Sequence, residues 1–308
     1  MTAELVDLLL ATRALEIAPP DQPFWYTSGT IGPFYLNTHY LYGSRAKAEA
    51  LLAFIDQQQT DRRVLMQGVL AAVEENYASD AGYRMVIDSL VRLIEREIGA
   101  ARIAAVSGGE RRDWFFSVMA ARRLGKPILL IRKDQTVWRV NHERVNQEVE
   151  EVSELQGAAV LHVADLVTEA SSYVHTWLPA LQQRHGNLTW ALNLVDRGQG
   201  GAEVLRAHGI QPFHLIAIGP EFFESLQQRG YLTAAAVAML QAYHHDPRAS
   251  MRRLLLERPE ILTRALASPD AKIRRRAELL VAQNVYDLPA ALLNACRAAA
   301  ASKPPGDL

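Results

Sequence analysis

The chain has 308 residues, 49% of them hydrophobic, and its 33 basic and 34 acidic side chains leave a net charge of −1. That length allows one large domain or one domain with an accessory part, and the balanced charge gives no electrostatic reason to expect nucleic-acid or membrane binding. The single cysteine, Cys296, excludes an intrachain disulfide, which fits a reducing, cytoplasmic location. We expect no signal peptide, because the charged N-terminal region has no long apolar run. We expect no membrane span, because no run of about 18 or more apolar residues exists in the sequence.

The first hundred residues are predicted to be mainly helical. An amphipathic helix over residues 3–17 is stopped by Pro19-Pro20. Residues 22–41 carry aromatic side chains on both sides of Ser28-Gly29, which predicts two short strands joined at a glycine turn. Helices are expected over residues 44–58, 61–76 and 80–98, the first and last capped by Ser44 and Asp80.

Residues 101–225 show a different pattern, in which short apolar runs alternate with helical segments. The expected strands are 103–106, 128–131, 158–163, 188–195 and 213–218, and the expected helices are 111–124, 170–184 and 200–208. This alternation predicts an α/β fold, a parallel sheet covered by helices on both faces. Right-handed crossovers then place the strand-to-helix loops along one edge, where ligands bind.

The last part of the chain is predicted to be helical. Residues 226–302 lose the strand pattern and are rich in Ala, Leu and Arg, which fits either a helical cap or solenoid-like helix pairs. The basic cluster of residues 272–276 is expected to be a solvated helix face, with contact to an anionic partner as the alternative. We therefore predict an N-terminal hood and helices (1–100), an α/β core (101–225), a helical extension (226–302) and a disordered tail (303–308).

Four segments at predicted strand ends carry residues suited to an anionic ligand. Glycines before a helix start let the backbone approach a ligand, and the helix N–H groups favour negative charge. Cations that leave a buried strand project into the crevice or into solvent, and an arginine fork suits a planar carboxylate. The candidate residues are Gly108, Gly109 and Arg111; Arg132 and Lys133; Asp165, Thr168, Glu169, Ser171 and Ser172; and Arg197.

Over about residues 20–225 the chain resembles the type I phosphoribosyltransferases, and among them orotate phosphoribosyltransferase. The most specific match is Val195-Asp196-Arg197-x-x-Gly200-Gly201. The resemblance implies that the first two segments bind the pyrophosphate of phosphoribosyl pyrophosphate (PRPP), that Asp165 holds the ribose, and that residues 168–172 hold the 5′-phosphate. It also implies that Arg197 binds the orotate carboxylate, that Phe34 and Tyr35 stack on the pyrimidine ring, that Mg²⁺ accompanies PRPP, and that the protein is a homodimer.

Several positions depart from the family pattern. Ala164 replaces the first of two acids, Glu169 lies within the phosphate segment, and Ala170 and Ser171 replace glycines. A carboxylate about 4 Å from a phosphate costs roughly 4 kcal/mol at an effective dielectric near 20, or about three powers of ten in affinity. Thr27 stands where the family has a lysine. No lysine lies in the catalytic-loop region between Asp134 and Gly157, where His142 is the candidate substitute.

Three hypotheses follow. The first is transfer of a phosphoribosyl group from PRPP to a pyrimidine-type base in pyrimidine metabolism, with Asp165 and His142 as catalytic residues. Mg²⁺ is then required only if PRPP binds. The second is an inactive binding or regulatory module whose ligand, a nucleoside or base, lacks a 5′-phosphate. The third gives the function to the helical extension. In the first two, the partner is a small molecule and not nucleic acid or membrane.

Overall fold

A computed structural model of the chain describes residues 3–140 and 149–302. His142 and the tail from residue 303 lie outside the described residues. The chain divides into two compact units: residues 3–15 and 37–218 belong to the first, and residues 16–36 and 219–302 to the second. The hood segment 16–36 is thus grouped with the C-terminal helices. The four-part division made from the sequence stays a prediction.

The strands and helices have the following bounds. The strands are β1 (Leu15–Ile17), β2 (Phe24–Trp25), β3 (Ile31–Gly32), β4 (Phe34–Leu36), β5 (Ala105–Gly109), β6 (Ile128–Ile131), β7 (Val137–Val140), β8 (Val149–Glu151), β9 (Ala159–Val167), β10 (Asn187–Asp196) and β11 (Gln211–Ala217). The helices of the first unit are α1 (Ala3–Ala11), α2 (Arg45–Gln57), α3 (Arg62–Ser79), α4 (Ala81–Glu97), α5 (Trp114–Leu124), α6 (Leu178–Gln182) and α7 (Gly201–Ala207). Those of the second are α8 (Pro220–Gln228), α9 (Ala234–His245), α10 (Pro247–Glu257), α11 (Glu260–Leu266), α12 (Ala271–Gln283) and α13 (Ala290–Ala301).

The first unit is built on a seven-stranded sheet with the order β11-β10-β9-β5-β6-β7-β8. The strands from β11 to β6 are parallel, and β7 and β8 are antiparallel additions at the β6 edge. The predicted α/β class is confirmed. The antiparallel pair was not predicted, because both strands mix apolar with charged residues and the segment from Gln135 to Leu155 was assigned to the catalytic loop.

Helices cover both faces of this sheet. On one face, α5 is buried from Trp114 to Ala121 and packs on β5 and β9, with α3 and α4 outside it. On the other face, a π-helical turn (Tyr173–Trp177) continues into α6, and Tyr173, Leu178 and Leu181 join the buried cluster over β9 and β10. A run of eight buried residues in α5 reflects a helix with a sheet on one side and helices on the other.

The N-terminal helix ends earlier than its pattern predicts. It stops at Ala11, Arg13 has a positive φ of 58°, and β1 begins at Leu15. The left-handed residue interrupts the helical hydrogen-bond pattern well before Pro19-Pro20, which the sequence indicated as the stop. No helix among residues 3–140 and 149–302 is long and apolar enough to cross a bilayer.

The second unit combines the hood strands with α8 to α13. The Phe34 ring lies 6.1 Å from that of Phe223 and 5.7 Å from that of Tyr243. The Tyr286 hydroxyl accepts a 2.9 Å hydrogen bond from the buried Ile31 N–H and lies 3.3 Å from the Ile31 carbonyl. Phe34 thus packs the hood segment on α8 and α9. Tyr286, in the turn between α12 and α13, holds Ile31, which lies 255 residues earlier in the chain.

Candidate functional site

The carboxyl ends of four parallel strands meet at one edge of the sheet in the first unit. Gly109 at the end of β5 pairs with Ile131 of β6, and Val167 of β9 pairs with Asp196 of β10. Each of these strands leads into one of the four predicted segments. The structure therefore brings to this edge the predicted residues Gly108, Gly109, Arg111, Arg132, Lys133, Thr168, Glu169, Ser171, Ser172 and Arg197.

In the segment at the end of β5, which is predicted to bind pyrophosphate, two backbone N–H groups already donate hydrogen bonds to acceptors within the protein. The Gly109 N–H donates to Asp113 Oδ2 at 2.9 Å, and the Glu110 N–H donates to the Ile131 carbonyl at 2.8 Å. Both glycines also have a packing reason. A Cβ at Gly109 would lie 2.2 Å from Trp177 Nε1, and one at Gly108 would lie 2.1 Å from Ser117 Oγ. Close packing thus accounts for glycine at both positions without a ligand.

The cations near this segment are engaged in intramolecular contacts. Arg111 forms an ion pair with Asp56 of α2. The Arg132 guanidinium lies 4.6 Å from the Trp138 ring centre and 3.9 Å from the Glu110 carboxylate, and it donates to the Gln59 carbonyl at 3.3 Å. Lys133 is exposed. Glu110 adds a negative charge where the resemblance implies pyrophosphate, which makes this part of the edge less favourable for that anion.

The phosphate segment bends after β9 and includes a residue in the left-handed region. Glu169 is exposed, and Ala170 is buried in the left-handed region with φ of 57°, a conformation that glycine adopts more easily. Ser171 and Ser172 are exposed at the start of the helix, and the Val174 N–H bonds back to the Ala170 carbonyl. N–H groups in the first turn of a helix, together with nearby hydroxyls, form a favourable environment for an anion.

The next segment supports this turn from behind. A Cβ at Gly201, the first residue of α7, would lie 2.5 Å from the Thr168 carbonyl oxygen. The Arg197 N–H donates to the Val167 carbonyl at 3.0 Å, and Asp196 Oδ1 accepts from the Gly198 N–H at 2.8 Å. Backbone contacts thus hold the Arg197 segment against the phosphate segment, and the Arg197 side chain is partly buried.

A buried pair of carboxyl groups lies beneath these segments. Asp113, just before α5, accepts from the Asp165 N–H at 3.0 Å, and the Thr38 hydroxyl donates to Asp165 Oδ2 at 2.6 Å. Burial raises the pKa of Asp165 to about 7, and the Asp113 charge acts in the same direction. Burial also raises the pKa of Asp113 to about 7. The pair therefore retains a proton until the pH approaches neutrality.

His162 of β9 completes the buried polar cluster. Its Nδ1 lies 2.9 Å from Ser107 Oγ, its Nε2 lies 3.5 Å from Asp113 Oδ2, and its ring stacks on Trp177 with 4.2 Å between ring centres. Burial lowers the pKa of His162 to about 3, which keeps the imidazole neutral. Asp113 was detectable in the sequence as an acid directly before an apolar helical run. His162 carries no such signal within its apolar strand.

The geometry does not favour ribose or metal binding by the expected acids. Ala164 has no side-chain oxygen, and Asp165 is buried with one carboxylate oxygen bonded to Thr38. Neither position offers the exposed oxygen ligands that Mg²⁺ prefers. The catalytic role of Asp165 and the participation of Mg²⁺ stay predictions.

The predicted base-stacking residues, Phe34 and Tyr35, belong to the second unit. Phe34 is buried between Phe223 and Tyr243, which favours a packing role. Tyr35 is partly exposed, with its ring 5.8 Å from Phe24 and 5.7 Å from Tyr26. Base binding by either residue stays a prediction. The same holds for His142, which lies outside the described residues.

Comparisons with known proteins identify the fold. No protein-family model matches the chain. Among solved structures it is similar to the UMP synthase of Leishmania donovani, with a TM-score of 0.52 and 14% identity over 79% of this chain and 42% of that one. It is also similar to an orotate phosphoribosyltransferase of Francisella tularensis, with a TM-score of 0.50 and 12% identity over 79% of this chain and 98% of that one. The chain thus spans less than half of the UMP synthase. The likeness confirms the type I phosphoribosyltransferase fold predicted from the resemblance.

Proposed function

We propose that this chain, which has the fold of the type I phosphoribosyltransferases, binds a 5′-phosphorylated ribonucleoside at the carboxyl edge of its sheet without requiring pyrophosphate. The observation that carries the proposal is the contrast between two segments of that edge. The turn at residues 168–172 presents a helix start with exposed Ser171 and Ser172. In the segment after β5, by contrast, the N–H groups of Gly109 and Glu110 donate hydrogen bonds to Asp113 and to the Ile131 carbonyl.

The charges at the edge support the same ligand. Arg111 and Arg132, which the resemblance assigns to pyrophosphate, are held by Asp56 and by Trp138, and Glu110 lies beside Arg132. A pyrophosphate group would have to displace these contacts and approach a carboxylate. A single 5′-phosphate in the turn avoids both costs. Because Glu169 is exposed, its carboxylate can turn to solvent, so the phosphate need not bind against it.

The base of this ligand is proposed to be an acidic pyrimidine. Arg197 lies in the segment that packs on the phosphate turn, and a guanidinium can hold a carboxylate with two parallel hydrogen bonds. Orotidine 5′-monophosphate is therefore expected to bind more tightly than uridine 5′-monophosphate, which lacks the carboxylate. Arg197→Lys should reduce this preference, because an ammonium cannot reproduce the planar contact.

Calorimetric titration of the full chain tests the proposal. We expect both nucleoside monophosphates to bind, and PRPP with Mg²⁺ to bind no more tightly than they do. Ser171→Asp places a carboxylate at the helix start and should weaken monophosphate binding by roughly two to three powers of ten. Ser153→Asp is the matched control, because Ser153 is exposed and lies outside the four segments. Tight binding of PRPP without detectable monophosphate binding would contradict the proposal.

Phosphoribosyl transfer is the second candidate function, and the grouping of all four segments at one edge favours it. In this reaction a nitrogen of the base attacks C1 of the ribose, the bond from C1 to the pyrophosphate oxygen breaks, and the nitrogen loses its proton. Mg²⁺, when bound with PRPP, would neutralise charge on the leaving pyrophosphate. Lys133 and Arg132 would position that group, Asp165 the ribose and Arg197 the base, with His142 as the proposed loop residue.

Turnover distinguishes the two candidates. The chain is incubated with PRPP, Mg²⁺ and orotate, and both pyrophosphate and nucleotide are measured. Formation of pyrophosphate and nucleotide in equal amounts would establish phosphoribosyl transfer, and Arg197→Ala should abolish the formation of both products. Monophosphate binding with no product would establish binding without turnover. A homodimer is proposed from the resemblance, and light scattering after size-exclusion chromatography measures it directly.

A further inference from the structure

A cationic groove lies in the second unit between α12 and the turn of the hood segment at residues 26–30, here called the hood turn. Its volume is about 650 Å³, and its lining residues are Thr27, Lys272, Arg275, Arg276, Glu278, Leu279 and Ala282. Small-molecule sites typically have volumes of about 300–1,000 Å³. Lys272, Arg275, Arg276 and Leu279 follow the spacing i, i+3, i+4 and i+7, which places them on one face of the helix.

Among the residues that the structure describes, the positive charges along this face are only partly balanced. Three cations line the groove against one carboxylate, that of Glu278. Lys272 and Arg275 are exposed, and neither side chain forms an ion pair with a carboxylate in the part of the chain that the structure describes. Like charges three and four residues apart destabilise a helix. Repulsion between like charges that the fold leaves in place is typical of a functional site, where a bound anion supplies the opposite charge.

The hood turn shapes the other wall of the groove. Gly29 has a positive φ of 81°, and a Cβ there would lie 2.9 Å from Leu279 Cγ, so the turn sits directly on α12. Arg276 donates to the Trp25 carbonyl at 2.7 Å, which holds its guanidinium at the groove. Thr27 is exposed beside it. The groove therefore combines a cationic rim, a hydroxyl donor and the apolar side chains of Leu279 and Ala282.

We propose that this groove binds a small organic molecule that carries phosphoryl groups and an aromatic ring. The phosphoryl oxygens contact Lys272, Arg275 and the Thr27 hydroxyl, and the ring covers Leu279 and Ala282. The bounded volume favours a small molecule over a nucleic-acid or membrane surface, as does the net charge of −1 for the whole chain. The proposal concerns the second unit alone and does not depend on the function proposed for the sheet edge.

The test uses the full chain with ATP, inorganic pyrophosphate and adenosine as probes. Binding is measured by calorimetry, and the site is identified by protection of individual lysines from acetylation, read by mass spectrometry. ATP should protect Lys272 and bind more tightly than pyrophosphate or adenosine, because it contacts both parts of the groove. Lys272→Glu with Arg275→Glu should weaken ATP binding at least about tenfold.

Two controls separate this site from other sources of binding. Arg252→Glu with Arg253→Glu makes the same change of charge at two exposed positions of α10 and should leave ATP affinity unchanged. Ser171→Asp alters the sheet edge and should leave Lys272 protection unchanged. Protection of Lys133 without protection of Lys272 would overturn the proposal. Equal weakening of ATP binding by Arg252→Glu with Arg253→Glu would also overturn it. Stronger protection of Lys272 by single-stranded DNA or by anionic phospholipid vesicles than by ATP would also overturn it.

Discussion

The buried carboxyl pair under the sheet edge leads to a prediction about stability and pH. Burial raises the pKa of Asp165 from 3.8 to about 7. The folded protein therefore keeps a proton on this group at pH 5, whereas the unfolded chain has already lost it. This contribution to stability is complete below pH 3.8 and is lost as the pH rises through about 7. Between pH 5 and pH 8 the loss amounts to about 3 kcal/mol.

Asp165→Asn removes one carboxyl of the pair and leaves Asp113 as the buried carboxyl that still titrates. Asparagine resembles the protonated carboxyl in shape and carries no charge at either pH, and its amide oxygen can still accept from Thr38. Relative to the unsubstituted chain, the variant should gain free energy of unfolding between pH 5 and pH 8, by up to about 3 kcal/mol, with Asp113 retaining part of the pH dependence. Burial lowers the pKa of His39 and His162 to about 3, so both are neutral in the folded protein at pH 5. Their contribution to the free energy of unfolding therefore increases as the pH rises through the pKa of the unfolded chain. They are present in both proteins, so their contribution cancels in the comparison.

Urea unfolding followed by circular dichroism at pH 5, 6, 7 and 8 provides the measurement. Asp61→Asn is the control, because Asp61 is an exposed N-cap of α3 and asparagine caps equally well. The difference in free energy of unfolding between Asp61→Asn and the unsubstituted chain should change much less between pH 5 and pH 8 than that of Asp165→Asn. The reasoning would be refuted if Asp165→Asn differed from the unsubstituted chain by the same free energy at pH 5 and pH 8.

Three further predictions concern packing and backbone geometry, each measured by chemical denaturation of the full chain. Gly109→Ala should lower the free energy of unfolding by about 2–3 kcal/mol, because the new methyl meets the Trp177 indole; failure of the added substitution Trp177→Leu to restore part of this loss would contradict the packing account. Ala170→Gly should raise stability by up to about 1 kcal/mol by relieving the left-handed conformation, and a loss would show that the Ala170 methyl matters more. Tyr286→Phe should cost about 2 kcal/mol because the buried Ile31 N–H loses its acceptor, and an unchanged stability would mean that water replaces the hydroxyl.

Periodicity was sufficient to predict the α/β core. The runs at residues 128–131 and 188–195 are long enough, and apolar enough, to indicate buried parallel strands without further information. The same is true of the caps at Ser44 and Asp80, whose side chains accept from Lys47 N and Tyr83 N. These features are local, because a strand pattern or a cap depends on residues within one or two turns of chain. The pairing of β7 with β8 was not predictable, since both strands mix apolar with charged residues and show no continuous apolar run.

The sequence by itself determined the fold class and the position of the four segments at strand ends. Only the tertiary structure decided which of their charges are available to a ligand. Arg111 faces Asp56, which lies fifty-five residues earlier in the chain, and Asp165 faces Thr38, at a separation of 127 residues. The availability of a side chain depends on partners brought together by folding, and spacing along the chain carries no information about them. The ligand contact indicated for Gly109 stays a prediction, whereas its packing against the Trp177 indole is a property that only the folded chain shows.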